Sequence, residues 1–167
     1  KRLVDRLGKG RVIWRFDPLI LTDQIGMDDL LRKVENIGDQ LKNYTEKLVF
    51  SYADIGLYKK VKANLEKSKI NYSEWTKEQM VEFAKRLVEL NKAKGWNYAL
   101  ATCGEAANLD GVEHNRCIDD DLMIRFAHHD KALMDFLGVE ITEGDLFNPK
   151  PTIIKHRDNR DKGQRQF

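Results

Sequence analysis

KLVFSY, residues 47–52, carries β-branched and aromatic side chains without the strict apolar–polar alternation that a half-exposed strand shows. This pattern predicts a short β-strand that is buried on both faces. RVIWRF at 11–16 and NYALAT at 97–102 share the same pattern. The sequence therefore predicts three buried strands, each separated from the next by a longer segment.

Helical patterns fill the two segments between these strands. The first, residues 28–41, spaces its apolar side chains at helical intervals: Leu30, Val34, Ile37 and Leu41. The second, residues 76–95, opens with Thr76 and Gln79, which match a capping box, and closes at Gly95, where a C-terminal cap belongs. Both segments are predicted to be amphipathic helices.

Two further helices are predicted outside the strand region. The opening residues have the pattern of the last turns of an amphipathic helix that ends at Gly8. A fourth helix is predicted from Asp119 to Gly138, with His128 and His129 inside it as surface residues. Its apolar stripe is predicted at Leu122, Met123, Phe126, Leu133, Phe136 and Leu137.

Strands that alternate with long helices are typical of βαβ units, which form parallel sheets. The predicted fold class is therefore α/β. A sheet of three parallel strands leaves two long open edges, which suggests a piece of something larger. We expect one α/β domain over residues 1–150 and a basic C-terminal tail at 151–167, where PTII at 151–154 is a weaker strand candidate because of Pro151.

The composition is typical of a globular protein. The 167 residues are 41% hydrophobic and 34% charged, with a net charge of +2, and they contain no apolar run long enough for a membrane helix. Two cysteines are too few for a disulfide framework. We therefore expect a cytoplasmic protein. The tail from residue 155 holds five basic and two acidic residues, and we interpret it as a solvated terminus rather than a nucleic-acid contact.

Each predicted strand leads into ionisable residues. Arg15 and Asp17 lie at the first strand end, Asp54 follows the second, and Cys103 and Glu105 follow the third. Parallel α/β proteins bind ligands at the carboxyl ends of their strands, so these residues are candidates for a shared ligand site. The alternative is structural: Arg15 pairs with a neighbouring carboxylate, and the aspartates cap helices.

Cys103, His114 and Cys117 offer the sulfur and nitrogen donors that zinc prefers. A structural zinc site normally shows two close pairs of ligands, and here the pair His114 and Cys117 stands alone. We therefore expect no metal site within this chain. The sequence also lacks a G-x-G-x-x-G fingerprint, a P-loop, a G-x-S-x-G elbow and an H-E-x-x-H motif, so it identifies no catalytic residue.

Five segments together resemble a bacterial family called domain of unknown function eighteen-forty-eight: RVIWRFDPLILT (11–22), FSYADIGLYKKVKANL (50–65), YALATCGE (98–105), GVEHNRCIDDDL (111–122) and RDKGQRQF (160–167). In that family a further portion precedes the WRFDP strand, and a cysteine cluster similar to the iron-sulfur motif of radical S-adenosylmethionine (SAM) enzymes follows the KGQR segment.

The resemblance implies a partial, TIM-like (β/α) barrel with parallel strands, truncated at both ends in this chain. It also implies a [4Fe-4S] cluster and SAM in the full-length protein, with no cofactor held by this chain alone. Cys103 and Cys117 are too far apart to form the ligand loop of such a cluster, although they can line the pocket.

These observations leave more than one function open. The first is an iron-sulfur, radical-SAM-like enzyme of unknown substrate, with Arg15, Asp17, Asp54 and Glu105 at the barrel mouth. The alternative is a non-catalytic binding module that holds a small anionic ligand or a nucleic acid through Arg15 and the basic tail. A metal-assisted hydrolase that uses His114 is a third.

Overall fold

A computed structural model describes residues 1–103, 108–115, 119–142, 144 and 152–156. By its contacts the chain divides into two compact units, Lys1–His114 and Asn115–Phe167. Residues 157–167, which make up most of the expected basic tail, lie outside the described residues.

The first unit is built around a parallel sheet. Its strands, in spatial order, are β1 (Trp14–Leu19), β3 (Lys47–Tyr52), β5 (Ala99–Thr102) and β6 (Glu113–His114). The α/β class and the parallel direction of the three predicted strands are thus confirmed. The described residues form an open sheet and not a closed barrel.

Two strand boundaries differ from the prediction. The first strand begins at Trp14 and extends through Asp17 and Pro18, because a bulge accommodates the proline that the pattern treats as a stop. The third strand begins only at Ala99, because Asn97 has a φ of 57°, which extended backbone does not adopt.

Among its described residues the first unit also has four helices and a small second sheet. They are α1 (Arg2–Leu7), β2 (Leu21–Thr22), α2 (Met27–Leu41), α3 (Lys59–Lys67), β4 (Tyr72–Ser73) and α4 (Lys77–Ala93). Strands β2 and β4 pair antiparallel. The first three predicted helices are confirmed as α1, α2 and α4, whereas α3, β2 and β4 were not predicted.

The capping box of α4 forms as its sequence predicts. Thr76 Oγ1 accepts a hydrogen bond from the Gln79 backbone N–H (3.2 Å), and Gln79 Oε1 accepts one from the Thr76 N–H (3.0 Å). Two N–H groups that the first helical turn leaves without intrahelical acceptors are thus satisfied. At the other end Gly95 follows the helix with a φ of 58°, in the left-handed region that glycine adopts without strain.

Helices α2 and α4 cover the same face of the parallel sheet. Trp14, Leu48 and Leu100 are aligned across three strands and therefore point to one side. They form one buried cluster with side chains from both helices, including Leu30, Val34, Phe83 and Leu87. This cluster is the main core of the first unit.

The described residues of the second unit form two helices and a pair of strands. These are α5 (Asp120–Ala127), α6 (Lys131–Leu137), β7 (Val139–Thr142) and β8 (Thr152–Lys155), with β7 and β8 antiparallel. The weaker strand candidate is confirmed as β8, while Pro151 itself lies outside the described residues.

The prediction of one helix from Asp119 to Gly138 was wrong. The chain turns at His128 and His129, and Asp130 begins a new helix by accepting a hydrogen bond from the Leu133 N–H (3.0 Å). The two histidines therefore lie in a turn and not within a helix.

The predicted apolar stripe of this segment also fails at one position, because Phe136 is 75% exposed. The stop at Gly138 is correct, since this residue has a φ of 68°. In the part of the chain that the structure describes, no helix has the length and apolarity needed to span a bilayer.

Candidate functional site

The carboxyl ends of β1, β3 and β5 lie along one edge of the sheet, because the three strands are parallel. At this edge β1 contains a bulge: Phe16 is aligned with Phe50 and Leu19 with Tyr52, so β1 has one residue more than β3 over this interval. Asp17 lies in the bulge, followed by a cis peptide bond to Pro18. Bulges redirect side chains and often occur beside functional sites.

Arg15 is the centre of the polar contacts at this edge. Its Nε donates a hydrogen bond to Asp17 Oδ2 (2.7 Å), and its Nη2 lies 2.7 Å from the same oxygen. The Arg15 side chain remains 49% exposed, so Asp17 occupies only part of the guanidinium. The ion pair expected as a structural alternative is present and leaves room for a further ligand.

Arg15 also interacts with Cys103, which follows β5. Partial burial lowers the pKa of Arg15, but the hydrogen bond and charge of Asp17, together with the interaction with Cys103, outweigh this effect and raise the pKa. Arg15 is therefore a fixed cation. Arg15 connects Asp17 in β1 with Cys103 after β5. The strand β3 lies between these two strands.

The sheet face that carries Arg15 is the face opposite the helices. Arg15 is aligned with Val49, which is aligned with Ala101, and Ala101 with Glu113. On this face Lys47 Nζ lies 3.4 Å from Glu113 Oε2. The Lys47–Glu113 pair crosses β5, whose alanine side chains on this face are small enough to leave space for it. This face therefore combines charged groups with small or apolar side chains.

Asp54 has a structural contact. Its Oδ1 accepts a hydrogen bond from the Leu57 N–H (3.2 Å) and thereby closes the turn after β3. The carboxylate of Glu74 accepts from the N–H groups of Ile55 (3.3 Å) and Gly56 (2.9 Å). Within the described ranges no hydrogen bond or ion pair connects Asp54 to Arg15, so the structure does not bring these two candidates into contact.

The other candidates are placed as follows. His114 is exposed at the end of β6 and is aligned with Thr102. Glu105 and Cys117 lie outside the described residues. Of the seven candidates, the structure brings together Arg15, Asp17 and Cys103.

Thr102 is a buried polar residue that the sequence did not single out. It is 2% exposed, and its Oγ1 has no hydrogen-bond partner among the described residues. Because Thr102 is aligned with Phe50, its side chain points to the helix-covered face. It therefore lies on the opposite side of the sheet from Arg15.

Carboxylates that could hold a cation are grouped in the second unit, where ligand atoms of Asp119, Asp120 and Asp121 lie within 4.8 Å of one another. All three have structural contacts, and Asp121 Oδ1 accepts a hydrogen bond from Lys155 Nζ (3.3 Å). Asp119 Oδ1 accepts from the Leu122 N–H (3.0 Å) and caps α5, and the buried Asp120 forms an ion pair with Lys155. The group is thus explained by local structure.

Sequence reasoning missed β6 and its pairing with β5. The signal available was Asp110–Gly111, a turn dipeptide directly before the strand. Gly111 has a φ of 73°, and a Cβ there would lie 3.1 Å from a Val88 methyl group. Two-residue strands carry too little periodicity to be predicted from pattern alone.

The fold and this edge define a parallel α/β domain in which polar and ionisable side chains follow the strands. The chain belongs to the family described as Domain of unknown function (DUF1848), whose model matches residues 1–166. This confirms the resemblance to that family. No curated protein and no solved structure matches the chain.

Proposed function

We propose that the chain forms part of a (β/α) barrel in an iron-sulfur, radical-SAM-like enzyme of unknown substrate. Its ligand site lies at the carboxyl edge of β1, β3 and β5. There Arg15, Asp17 and Cys103 contact polar groups of a bound small molecule, and Glu105, two residues after Cys103 in the sequence, stays a candidate for the same site. Asp54 shapes the adjoining turn.

The strand order supports the barrel. Spatial order follows chain order from β1 to β6, without the reversal that marks doubly wound sheets. In addition, α2 and α4 both cover one face, as the outer helices of a barrel do. The opposite face, with Arg15, Lys47 and Glu113, corresponds to the barrel interior in this proposal.

The observation that carries the site is the Arg15 contact pattern. A guanidinium binds carboxylate or phosphate through parallel hydrogen bonds, and this one is fixed on a strand and partly exposed. Asp17 adds an acceptor for hydroxyl or amino groups. A ligand that carries both an anionic and a donor group matches this pair, and SAM, with its carboxylate and ammonium, is such a molecule.

The described residues do not fit the iron-sulfur cluster itself. Such a cluster requires several cysteine thiolates, and Cys103 is the single cysteine in the described ranges. The ligands of the proposed cluster would therefore come from another part of the protein. The residues of this chain bind and orient the molecule on which one-electron chemistry would act.

The decisive experiment is anaerobic reconstitution of the full-length gene product with iron and sulfide. We expect a visible sulfur-to-iron absorbance band and reductive cleavage of SAM. A protein that takes up no iron and cleaves no SAM would contradict the enzyme proposal.

The site is tested by Arg15→Gln in the same protein. We expect SAM affinity to fall about tenfold or more, because one charge-assisted hydrogen bond contributes about 1.5–3 kcal/mol. Arg32→Gln is the matched control, since Arg32 also pairs with an aspartate, Asp29, but lies on α2. Equal SAM affinities of the two variants would show that Arg15 does not bind SAM.

A second candidate function rests on the same Arg15 geometry: a non-catalytic module that binds a small anion. It predicts that Arg15→Gln abolishes anion binding in a protein that neither gains a cluster nor cleaves SAM. Inorganic phosphate and a simple carboxylate, titrated calorimetrically, are suitable probes. The two functions are distinguished by the cluster absorbance, which only the first requires.

A further inference from the structure

Residues 53–73 form an excursion that begins and ends at the same edge of the sheet. The chain leaves β3 at Tyr52, forms α3, and returns to β4, which pairs with β2 immediately after β1. Glu74 joins the two ends of the excursion through its hydrogen bonds to Ile55 and Gly56. The crossover to β5 is made by α4, so α3 is an addition at the carboxyl edge.

The surface of this excursion is strongly basic. Residues 57–70 contain a single acid, Glu66, and five lysines, which gives a net charge of +4. The lysines are all exposed: Lys59, Lys60, Lys62, Lys67 and Lys69. No ion pair involves any of them within the described part of the chain. Lys94, by contrast, pairs with both Glu35 and Asp39.

Unpaired like charges at this density repel one another, and an anionic partner relieves that repulsion. Beside the first lysines stands Tyr58, 45% exposed, preceded by Leu57 at 71%. A flat aromatic ring next to clustered lysines is the combination with which proteins bind single-stranded nucleic acid, since bases stack on the ring and phosphates contact the cations.

The apolar side chains of α3 form only a short exposed stripe. Exposure falls along the helical stripe from Tyr58 (45%) through Val61 (39%) to the half-buried Leu65, so the stripe offers about one turn of exposed apolar surface. The solvent side of the helix carries the lysines instead. An interfacial membrane helix requires the opposite arrangement, with a contiguous apolar face directed outward.

We propose that α3 and its flanking residues 57–70 bind single-stranded nucleic acid, with the five lysines on phosphates and Tyr58 stacked against a base. The proposal goes beyond the function proposed above and does not depend on it, because neither Arg15 nor any cofactor takes part.

Fluorescence anisotropy of the intact protein with a labelled single-stranded DNA of about 20 nucleotides tests this proposal. The test variant is Lys59→Gln/Lys60→Gln/Lys62→Gln. The matched control is Lys77→Gln/Lys85→Gln/Lys92→Gln, which removes the same charge from exposed positions of α4.

We expect wild-type affinity to fall about 100-fold between 50 and 200 mM salt, as five phosphate contacts on a single strand predict. The test variant loses about tenfold or more in affinity at 50 mM salt, and its salt slope flattens by about 2. The control variant keeps the wild-type slope. Circular dichroism confirms that both variants are folded.

Tyr58→Ala provides an independent measurement, with Tyr58→Phe as its conservative control. Stacking of one base predicts a loss of about fivefold or more for alanine and little change for phenylalanine. Equal losses of DNA affinity in the two triple variants would overturn the proposal. Equal DNA affinities of Tyr58→Ala and Tyr58→Phe would overturn it as well. Binding to vesicles of anionic phospholipid but not to DNA would also overturn it, in favour of a membrane surface.

Discussion

The two faces of the parallel sheet have opposite chemistry. One face holds Trp14, Leu48 and Leu100 against α2 and α4, where the side chains are buried. The other carries the partly exposed Arg15 and Lys47 beside the buried side chains of Val49 and Ala101. Burial of apolar surface is the main stabilising contribution to folding, whereas partly exposed ion pairs contribute little. The helix-covered face therefore contributes most to stability, while the other face carries the charged side chains for which we propose a ligand-binding role.

The largest effect is expected on the helix-covered face. Phe83→Ala removes a fully buried ring that contacts Phe50, Tyr52 and Trp75, and should lower the free energy of unfolding by about 3–5 kcal/mol. Urea denaturation followed by tryptophan fluorescence measures this, because all three tryptophans lie in the first unit.

Val81→Ala is the control for this measurement, since Val81 lies on the same helix but is exposed. We expect a change below about 0.5 kcal/mol there. Similar losses of unfolding free energy at both positions would show that α4 has no preferred buried face. They would also contradict the difference between the two faces of the sheet.

Gly38→Ala tests how closely α2 packs. A Cβ at Gly38 would lie 2.6 Å from the Trp96 ring, so we expect a loss of about 1–3 kcal/mol even though alanine favours helix. Trp96→Phe in the same background should recover part of the loss, because the smaller ring withdraws from the added methyl group. Strictly additive effects of the two substitutions would contradict the close contact.

Tyr98→Phe removes the hydrogen bond from the Tyr98 hydroxyl to the Gly38 carbonyl (2.8 Å), and we expect a loss of about 1 kcal/mol at neutral pH. The pH dependence is more specific. Burial, with a smaller contribution from Asp39, raises the pKa of Tyr98 from 10.0 to about 12.

Because the unfolded chain releases this proton first, the stability from neutral Tyr98 is complete below pH 10 and is lost as the pH rises toward 12. Denaturation at a series of pH values from neutral to alkaline should show a steeper decline for the wild type than for Tyr98→Phe. Parallel curves would mean that the Tyr98 hydroxyl ionises equally in both states.

The smallest effect on stability is expected at Arg15. Its pair with Asp17 is half-exposed, so Arg15→Gln should change the free energy of unfolding by less than about 1 kcal/mol. The same denaturation assay measures this. A loss comparable to that of Phe83→Ala would assign the Arg15 side of the sheet a structural role and erase the difference between the two faces.

Most of the framework of the first unit could be predicted from the sequence. The strand of Lys47–Tyr52 and the helices α2 and α4 carry periodicity and caps within their own residues, and such local signals are sufficient. The break at His128–Asp130 could not be predicted in this way. Apolar spacing continues across it, while Asp130 acts as a cap that competes with helix continuation.

The candidate site could be predicted in part. The placement of Arg15, Asp17 and Cys103 near one another follows from the rule that parallel strands end at one edge. The pair of Lys47 and Glu113 could not be anticipated, because it depends on a two-residue strand and on register between distant segments. Register is a tertiary property that local patterns do not encode.

Helix α3 has a consequence for how the protein opens. All of its nine residues are described, and none is buried, so unravelling this helix exposes little that the folded state conceals. Its backbone amides should therefore exchange with deuterium far sooner than those of α4, through a local fluctuation that leaves the sheet intact. Trypsin should then cleave at the lysines between 59 and 69 sooner than at the exposed Lys85 of α4.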